Sequence, residues 1–225
     1  MDPVSLGRRT RCGILVLAWL TVTGAVGDCA FFKPAVPESP NKPPIIPHYD
    51  TPTLTLQTLA KGIEDKSQSN GQSVYLGAFA ESTAASTGDG RAFHAFFDPR
   101  DLQEHPTWPR TGDWNKELEP LMYADLVRKY SNPYLMTWHE YQPNGDDDVG
   151  ADYALLHRKY KIVQVAKNGT TTDTLPVAIG TADLYFVKST RAANKWVIAK
   201  WQDWHTRNDP DSAQVTLGKR RLETQ

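Results

Sequence analysis

Apolar residues recur every three to four positions in the first half of the chain. Leu56, Leu59, Ala60 and Ile63 fall on one face of a predicted helix that begins near residue 53. Asn70-Gly71 interrupts this pattern, and a short second helix is predicted over residues 73–79. A short strand is predicted over residues 91–97. Residues 115–130 predict a third helix with Pro120 in its first turn, where the missing N–H costs little.

After residue 133 the period of the apolar positions changes from helical to two. Strands are predicted over residues 134–141, 151–166, 174–188 and 195–206, and Asn168-Gly169 is typical of a hairpin turn. Helices followed by long antiparallel strands predict an α+β domain, with the helices packed on one face of the sheet. Because each pair of long strands adds twist, the sheet should be strongly curved and should enclose a pocket in a cone-shaped domain.

The N-terminus predicts an export signal. Three arginines at positions 8, 9 and 11 precede an uncharged apolar run over residues 12–27, and Ala25-Val-Gly27 is a pattern after which a signal peptidase cuts. The competing interpretation uses Cys29, because residues 26–29 resemble a bacterial lipobox with a lipidated cysteine. The protein is therefore expected in the periplasm or cell envelope, anchored through lipid at Cys29, or else secreted.

The remaining composition divides the chain into segments. Residues 1–28 are assigned to the signal, and residues 29–52 to an extended tether, because seven prolines lie between Pro34 and Pro52. The folded domain is predicted over residues 53–207. Residues 208–225 are predicted to be a polar, solvated tail.

Charge and cysteine content restrict the classes of function. With 25 Lys and Arg against 26 Asp and Glu, the net charge of −1 offers no field for nucleic acid, and membrane contact is expected only through the lipid anchor. After removal of the signal, Cys29 is the only thiol, so cysteine catalysis is not expected. No cofactor is predicted, and the histidines lack the spacing of a metal site. Asp146-Asp-Asp148 is interpreted as an exposed acidic turn.

The order of these elements resembles a known superfamily. A first helix over Thr55 to Lys66, the run Val74-Tyr-Leu-Gly-Ala-Phe79, and a last strand containing Trp196-Val-Ile-Ala-Lys-Trp201-Gln-Asp203 are similar to the nuclear transport factor 2-like (SnoaL-like) superfamily. The resemblance covers about residues 53–206 and implies a cone-shaped fold. Members include isomerases, dehydratases, cyclases and non-catalytic binding or dimerisation modules, so the fold does not transfer a function.

In catalytic members of that superfamily, an aspartate or histidine inside the cone acts as general base. By residue type and element, the candidates are His94, Asp98, His139, His157, Asp183 and Asp203, of which His139, Asp183 and Asp203 are retained as catalytic candidates. The predicted pocket wall consists of Trp138, His157, Tyr160, Tyr185 and Trp201. In the last strand, strict alternation would place Trp201, Asp203 and His205 on one face and Trp196, Ile198 and Trp204 on the other.

Three functions remain open. The first is an exported module that binds a small, largely apolar ligand or a protein partner. The second is an isomerase or dehydratase that abstracts a proton beside a carbonyl with Asp183, Asp203 or His139, while Tyr160 or Tyr185 stabilises the oxyanion. The third is a structural envelope protein that forms a homodimer through its sheet.

Overall fold

The computed structural model describes residues 43–66, 70–82, 89–108, 114–129, 133–168, 171–206 and 214–224. The helices are α1 (Pro52–Asp65), α2 (Gly71–Leu76), α3 (Pro99–Glu104), α4 (Glu119–Lys129) and α5 (Leu217–Leu222). The strands are β1 (Glu81–Ser82), β2 (Arg91–Ala92), β3 (His94–Phe96), β4 (Trp114–Asn115), β5 (Tyr134–Glu140), β6 (Asp148–Val149), β7 (Tyr153–Asn168), β8 (Thr171–Lys188) and β9 (Trp196–Trp204). A short 3-10 turn spans Gln142–Asn144.

The long strands form one curled sheet in the order β4-β3-β9-β8-β7-β5, with β6 added beside β7. All neighbours in this sheet are antiparallel except β3 and β9, which run parallel. The pairing of β7 with β8 extends to Asn168 opposite Thr171, so only two residues connect these strands. The α+β class, with helices on a strongly curved and mostly antiparallel sheet, is therefore confirmed.

Helix α1 packs its predicted apolar face into the core. Thr51 caps its first turn by accepting the N–H of Leu54, and Pro52 follows in the first helical turn. Leu59 and Ile63 are fully buried, as their helical spacing predicted. The packing of α1 against α2 is close at Gly62, where a Cβ atom would lie 2.7 Å from the backbone nitrogen of Tyr75.

A β-bulge in β9 changes which side chains share a face. Leu184 pairs with Trp201 and Phe186 pairs with Ile198, and a register shift lies between Tyr185 and Phe186. Leu184 and Phe186 are two residues apart along β8, so their side chains lie on one face of the sheet. Their partners on β9, Trp201 and Ile198, lie on the same face. We call this face, which carries Trp201, the core face, and the opposite one the outer face. The prediction that Ile198 lies opposite Trp201 was wrong, because the bulge adds one residue between them.

The folded unit extends beyond the predicted domain at both ends. Before α1, the carbonyl of Tyr49 accepts the N–H of Trp196 at 2.7 Å, so the end of the predicted tether packs on the sheet. After the predicted end at residue 207, the described residues 214–224 contain α5 instead of a solvated tail. Leu217 and Arg221 of α5 are fully buried. The export signal, Cys29 and the tether up to residue 42 lie outside the described residues.

Among the helices that the structure describes, none has the length and apolar character needed to cross a membrane.

Candidate functional site

An open groove of about 550 Å³ lies between α1 and β5. Its floor is apolar and consists of Leu56, Ala60, Met136 and Trp138. Its rim is polar and charged, and includes Gln57, Lys61, Glu64, His139, Glu140 and Arg158. We call it the α1–β5 groove. An apolar floor with a few polar groups at the edge is the usual composition of a small-molecule site.

Two hydrogen bonds hold the walls of the groove together. The side chain of Glu64 on α1 accepts the backbone N–H of Met136 at 3.0 Å. In the other direction, Trp138 Nε1 donates to the carbonyl of Leu56 at 3.2 Å. These bonds join the edge strand β5 to α1 at two places along the groove. The groove is therefore a preformed feature of the fold, and the ring of Trp138 is held in a fixed orientation within it.

Below the groove, aromatic rings fill the core face of the sheet. The rings of Trp138 and Trp201 are 5.7 Å apart, and the ring of Tyr160 lies 5.9 Å from that of Trp138. Tyr160 and Trp201 are fully buried, whereas Trp138 is partly exposed. Three members of the predicted pocket wall therefore lie together, but only Trp138 lines the groove.

Asp203 is a fully buried carboxyl whose two oxygens are both occupied. Tyr160 Oη donates to Oδ1 at 2.7 Å, and the backbone N–H of Gly218 donates to Oδ2. Tyr160 Oη also accepts the backbone N–H of Leu217 at 2.7 Å. Burial raises the pKa of Asp203 to about 7, against the lowering effect of Arg221 and of these donors. The pair of Asp203 and Tyr160 therefore holds the first turn of α5 against the sheet.

A second buried carboxyl, Glu119, binds the other side of α5. It accepts hydrogen bonds from Arg221 Nε at 2.8 Å, from Trp114 Nε1 at 2.9 Å and from the hydroxyl of Tyr75. The guanidinium carbon of Arg221 lies 4.6 Å from the centre of the Trp201 ring. Arg221 and Glu119 are both completely buried, so α5 completes the core through an ion pair shielded from water.

His157 and Asp183 meet on the outer face, where they are directly paired across β7 and β8. His157 Nδ1 lies 2.6 Å from Asp183 Oδ1. Asp183 also accepts Asn144 Nδ2 at 2.9 Å and Trp204 Nε1 at 3.0 Å. A carboxylate that is hydrogen-bonded to one ring nitrogen of a histidine fixes the orientation of that ring. The sequence had placed these two residues in separate roles, as pocket wall and catalytic candidate.

Beside His157 lies a second, smaller cleft of about 150 Å³, which we call the His157 cleft. It is lined by Glu140, Tyr141, Gln142, Gly145, Asp146, Asp147 and His157. Glu140 borders both this cleft and the α1–β5 groove. The two depressions are therefore neighbours at the end of β5.

The other predicted residues are dispersed. His139 is exposed at the rim of the groove, and Tyr185 stacks on Tyr153 on the outer face with the ring centres 6.4 Å apart. The floor residues Leu56 and Ala60 had been predicted only as part of the apolar face of the first helix, because apolar residues carry no sequence signal that separates a pocket floor from packing. Within the described residues, no group of three or more His, Cys, Asp and Glu side chains is arranged to hold a metal ion.

No protein-family model matches the chain, and no curated protein does. A solved protein of the nuclear transport factor 2-like family from Streptomyces avermitilis matches with a TM-score of 0.45 and 10% identity, over 67% of this chain and 90% of that one. A protein of unknown function from Mycobacterium tuberculosis matches with a TM-score of 0.42 and 14% identity, over 76% and 87% of the two chains. Similarity at this level assigns neither a family nor an activity to the chain.

Proposed function

We propose that the protein binds a small, largely apolar ligand in the α1–β5 groove. The observation that carries this proposal is the apolar floor of Leu56, Ala60, Met136 and Trp138 in an open groove of about 550 Å³. This volume lies within the range of small-molecule sites. The hydrogen bonds that join β5 to α1 support a groove that exists before the ligand arrives. Little ordering of the protein would then oppose binding.

The same contacts favour binding over proton abstraction at the predicted bases. Both oxygens of Asp203 accept hydrogen bonds inside the core, and both oxygens of Asp183 do so on the outer face. A general base must instead reach a proton of its substrate. Neither aspartate lines the α1–β5 groove. The isomerase or dehydratase alternative therefore loses both aspartates as bases, and of the three predicted bases only His139 lines the groove.

Binding can be tested with 1-octanol, a short apolar probe, by titration calorimetry on the whole protein. Gln57 is exposed on α1 at the rim, so Gln57→Trp adds a large ring to the groove without removing a core contact. We expect this variant to weaken octanol binding by tenfold or more. Gln103→Trp provides the matched control, because Gln103 is also exposed, lies on α3 and is outside the groove. Equal affinities for the two variants would refute the groove as the site.

We also propose that the chain is exported and anchored by lipid at Cys29. The arginines and apolar run before Gly27 support export, and the lipobox-like residues 26–29 support lipidation. Mass spectrometry of the mature N-terminus tests both steps. A diacylglyceryl mass on Cys29 is the expected result. A start at Asp28 without lipid would leave secretion, and an intact Met1 would refute export.

A further inference from the structure

We propose that a second depression, beside α2, binds a phosphate monoester. It has a volume of about 520 Å³ and is formed by residues of α2, β1, the segment before α4 and the connection between β8 and β9. Three cations and one carboxylate line it, namely Lys116, Arg191, Lys195 and Glu81. We call it the basic depression. It shares no lining residue with the α1–β5 groove, so this proposal is independent of the function proposed above.

The carboxylates near the basic depression are already engaged. Arg191 Nη1 donates to Glu81 Oε2 at 2.5 Å, and Lys116 Nζ lies 3.7 Å from Glu81 Oε1. Glu81 is therefore shared between two cations. Asp89 does not line the depression, because it is buried and accepts hydrogen bonds from the hydroxyl of Ser189 and the backbone N–H of Glu81.

Two lysine ammonium groups remain able to bind an anion. The side chain of Lys116 is only 20% exposed, and its Nζ donates to the carbonyl of Phe79 at 3.0 Å. Lys195 Nζ lies 4.9 Å from the centre of the Tyr49 ring and forms no ion pair within the described part of the chain. Because an ammonium group has three N–H donors, both lysines retain donors for a ligand.

The pKa of Lys116 shows that the positive charges are not balanced. Burial lowers this pKa, and the charges of Lys195 and Arg191 lower it as well, against the raising effects of Glu81 and Asp89. The two carboxylates therefore do not compensate for a half-buried ammonium group beside two other cations. An anion bound to Lys116 and Lys195 would supply the missing negative charge.

A phosphate monoester matches these groups in charge and size. It carries about −1.5 to −2 charges at pH 7 and has three strong acceptor oxygens, and lysine binds phosphate as a point charge. The depression also has room for the molecule that carries the phosphate, since small-molecule sites have volumes of about 300–1,000 Å³. Gln72 and Ser73 of α2 line it and can form hydrogen bonds with hydroxyl groups of that molecule.

The experiment compares glucose 6-phosphate with glucose, which lacks the phosphate, by calorimetry on the whole protein at fixed pH and salt. We expect glucose 6-phosphate to bind and glucose not to bind. Lys116→Met and Lys195→Met should each weaken binding about tenfold or more, because each removes charged hydrogen bonds. Lys200→Met is the matched control for Lys195→Met, because Lys200 Nζ also lies over a ring, 4.8 Å from the centre of Phe96, but outside the depression.

A second measurement follows the ammonium group directly. In protein with ¹³C-labelled lysine, the pKa of Lys116 measured by NMR should rise when glucose 6-phosphate binds, because a nearby negative charge favours the charged form. Lys195→Met keeps the calorimetric test valid even if Lys116→Met does not fold. A Lys116 pKa that saturating glucose 6-phosphate leaves unchanged would overturn the proposal.

Phosphate monoesters occur on soluble sugars and on phosphatidic acid, and a sedimentation assay separates these sources. It uses phosphatidylcholine vesicles with and without phosphatidic acid. Binding of glucose 6-phosphate supports a soluble ligand, whereas capture only by vesicles with phosphatidic acid, weakened by Lys195→Met and not by Lys200→Met, supports a lipid. The site is refuted if neither phosphate is bound, or if Lys200→Met weakens binding as much as Lys195→Met.

Discussion

Replacing Arg221 by methionine tests whether the last helix completes the core. Arg221 lies close to the end of the chain and would be a solvated residue in the predicted tail. In the structure it is fully buried, donates through Nε to Glu119 at 2.8 Å, and lies over the ring of Trp201. Methionine can fill much of the same space but leaves Glu119 without its cation.

The loss of stability in Arg221→Met follows from the buried charge that Glu119 keeps. Glu119 is also fully buried, and among the described residues it keeps two neutral donors, Trp114 Nε1 and the hydroxyl of Tyr75. Removing one partner of a buried ion pair costs about 3–5 kcal/mol, because the other charge stays out of water without compensation. At about 2–4 °C per kcal/mol for a domain of this size, the melting temperature should fall by roughly 10 °C.

Thermal and urea unfolding, followed by far-UV circular dichroism, measure this change. Lys219→Met is the control, because Lys219 pairs with the exposed Glu104 and a surface pair screened by solvent contributes little to stability. The double variant Arg221→Met with Glu119→Gln should recover about 1 kcal/mol or more, because it removes the stranded charge. If Arg221→Met is no less stable than Lys219→Met, the buried ion pair and the packing of α5 are refuted.

Two further predictions concern the buried carboxyl and the contact between α1 and α2. Asp203 has a pKa raised to about 7, so between about pH 4 and 7 the folded protein retains a proton that the unfolded chain has released, and stability falls as pH rises through this window. At 1.36 kcal/mol per pKa unit, the stability of the wild type relative to Asp203→Asn should drop by roughly 4 kcal/mol between pH 4 and 8. A stability difference independent of pH, measured by urea unfolding, would contradict this. Gly62→Ala should lose about 1–3 kcal/mol despite better helix propensity, because the new Cβ atom meets backbone atoms of Tyr75 and Gly71 at 2.7 and 2.9 Å. A stabilised Gly62→Ala protein in the same assay would show that the two helices are less closely packed.

The period of the apolar positions was enough to predict the main elements. The long strands appear at β5, β7, β8 and β9, close to the predicted bounds, and the first helix appears as α1. These predictions succeeded because burial on one face imposes a period of two on strands and about 3.6 on helices. The pairing of strands then follows from short connections, so the fold class was accessible from the sequence.

The sequence could not predict features that depend on distant partners. Helix α5 is short and polar, and its burial becomes favourable only where distant residues bind it. Glu119 accepts a hydrogen bond from Arg221, 102 positions away, and Asp203 accepts the backbone N–H of Gly218. Helix α3 was missed for a similar reason. Its Asp101 is completely buried because it accepts a hydrogen bond from Thr216 at 2.6 Å and lies 2.8 Å from the ring of His205.

The candidate site shows why alternation along a strand has to be combined with pairing. Asp183 and Asp203 were predicted as equivalent catalytic candidates on long strands, yet Asp183 pairs with His157 on the outer face while Asp203 pairs with Ala182 on the core face. One aspartate thereby meets a histidine beside an acidic cleft, and the other caps a buried helix. The two aspartates have different roles because Asp183 and its neighbour Ala182, the partner of Asp203, point to opposite faces of the sheet. The pH experiment on Asp203 therefore probes the core face of the sheet, whereas the octanol experiment probes a groove that neither aspartate lines.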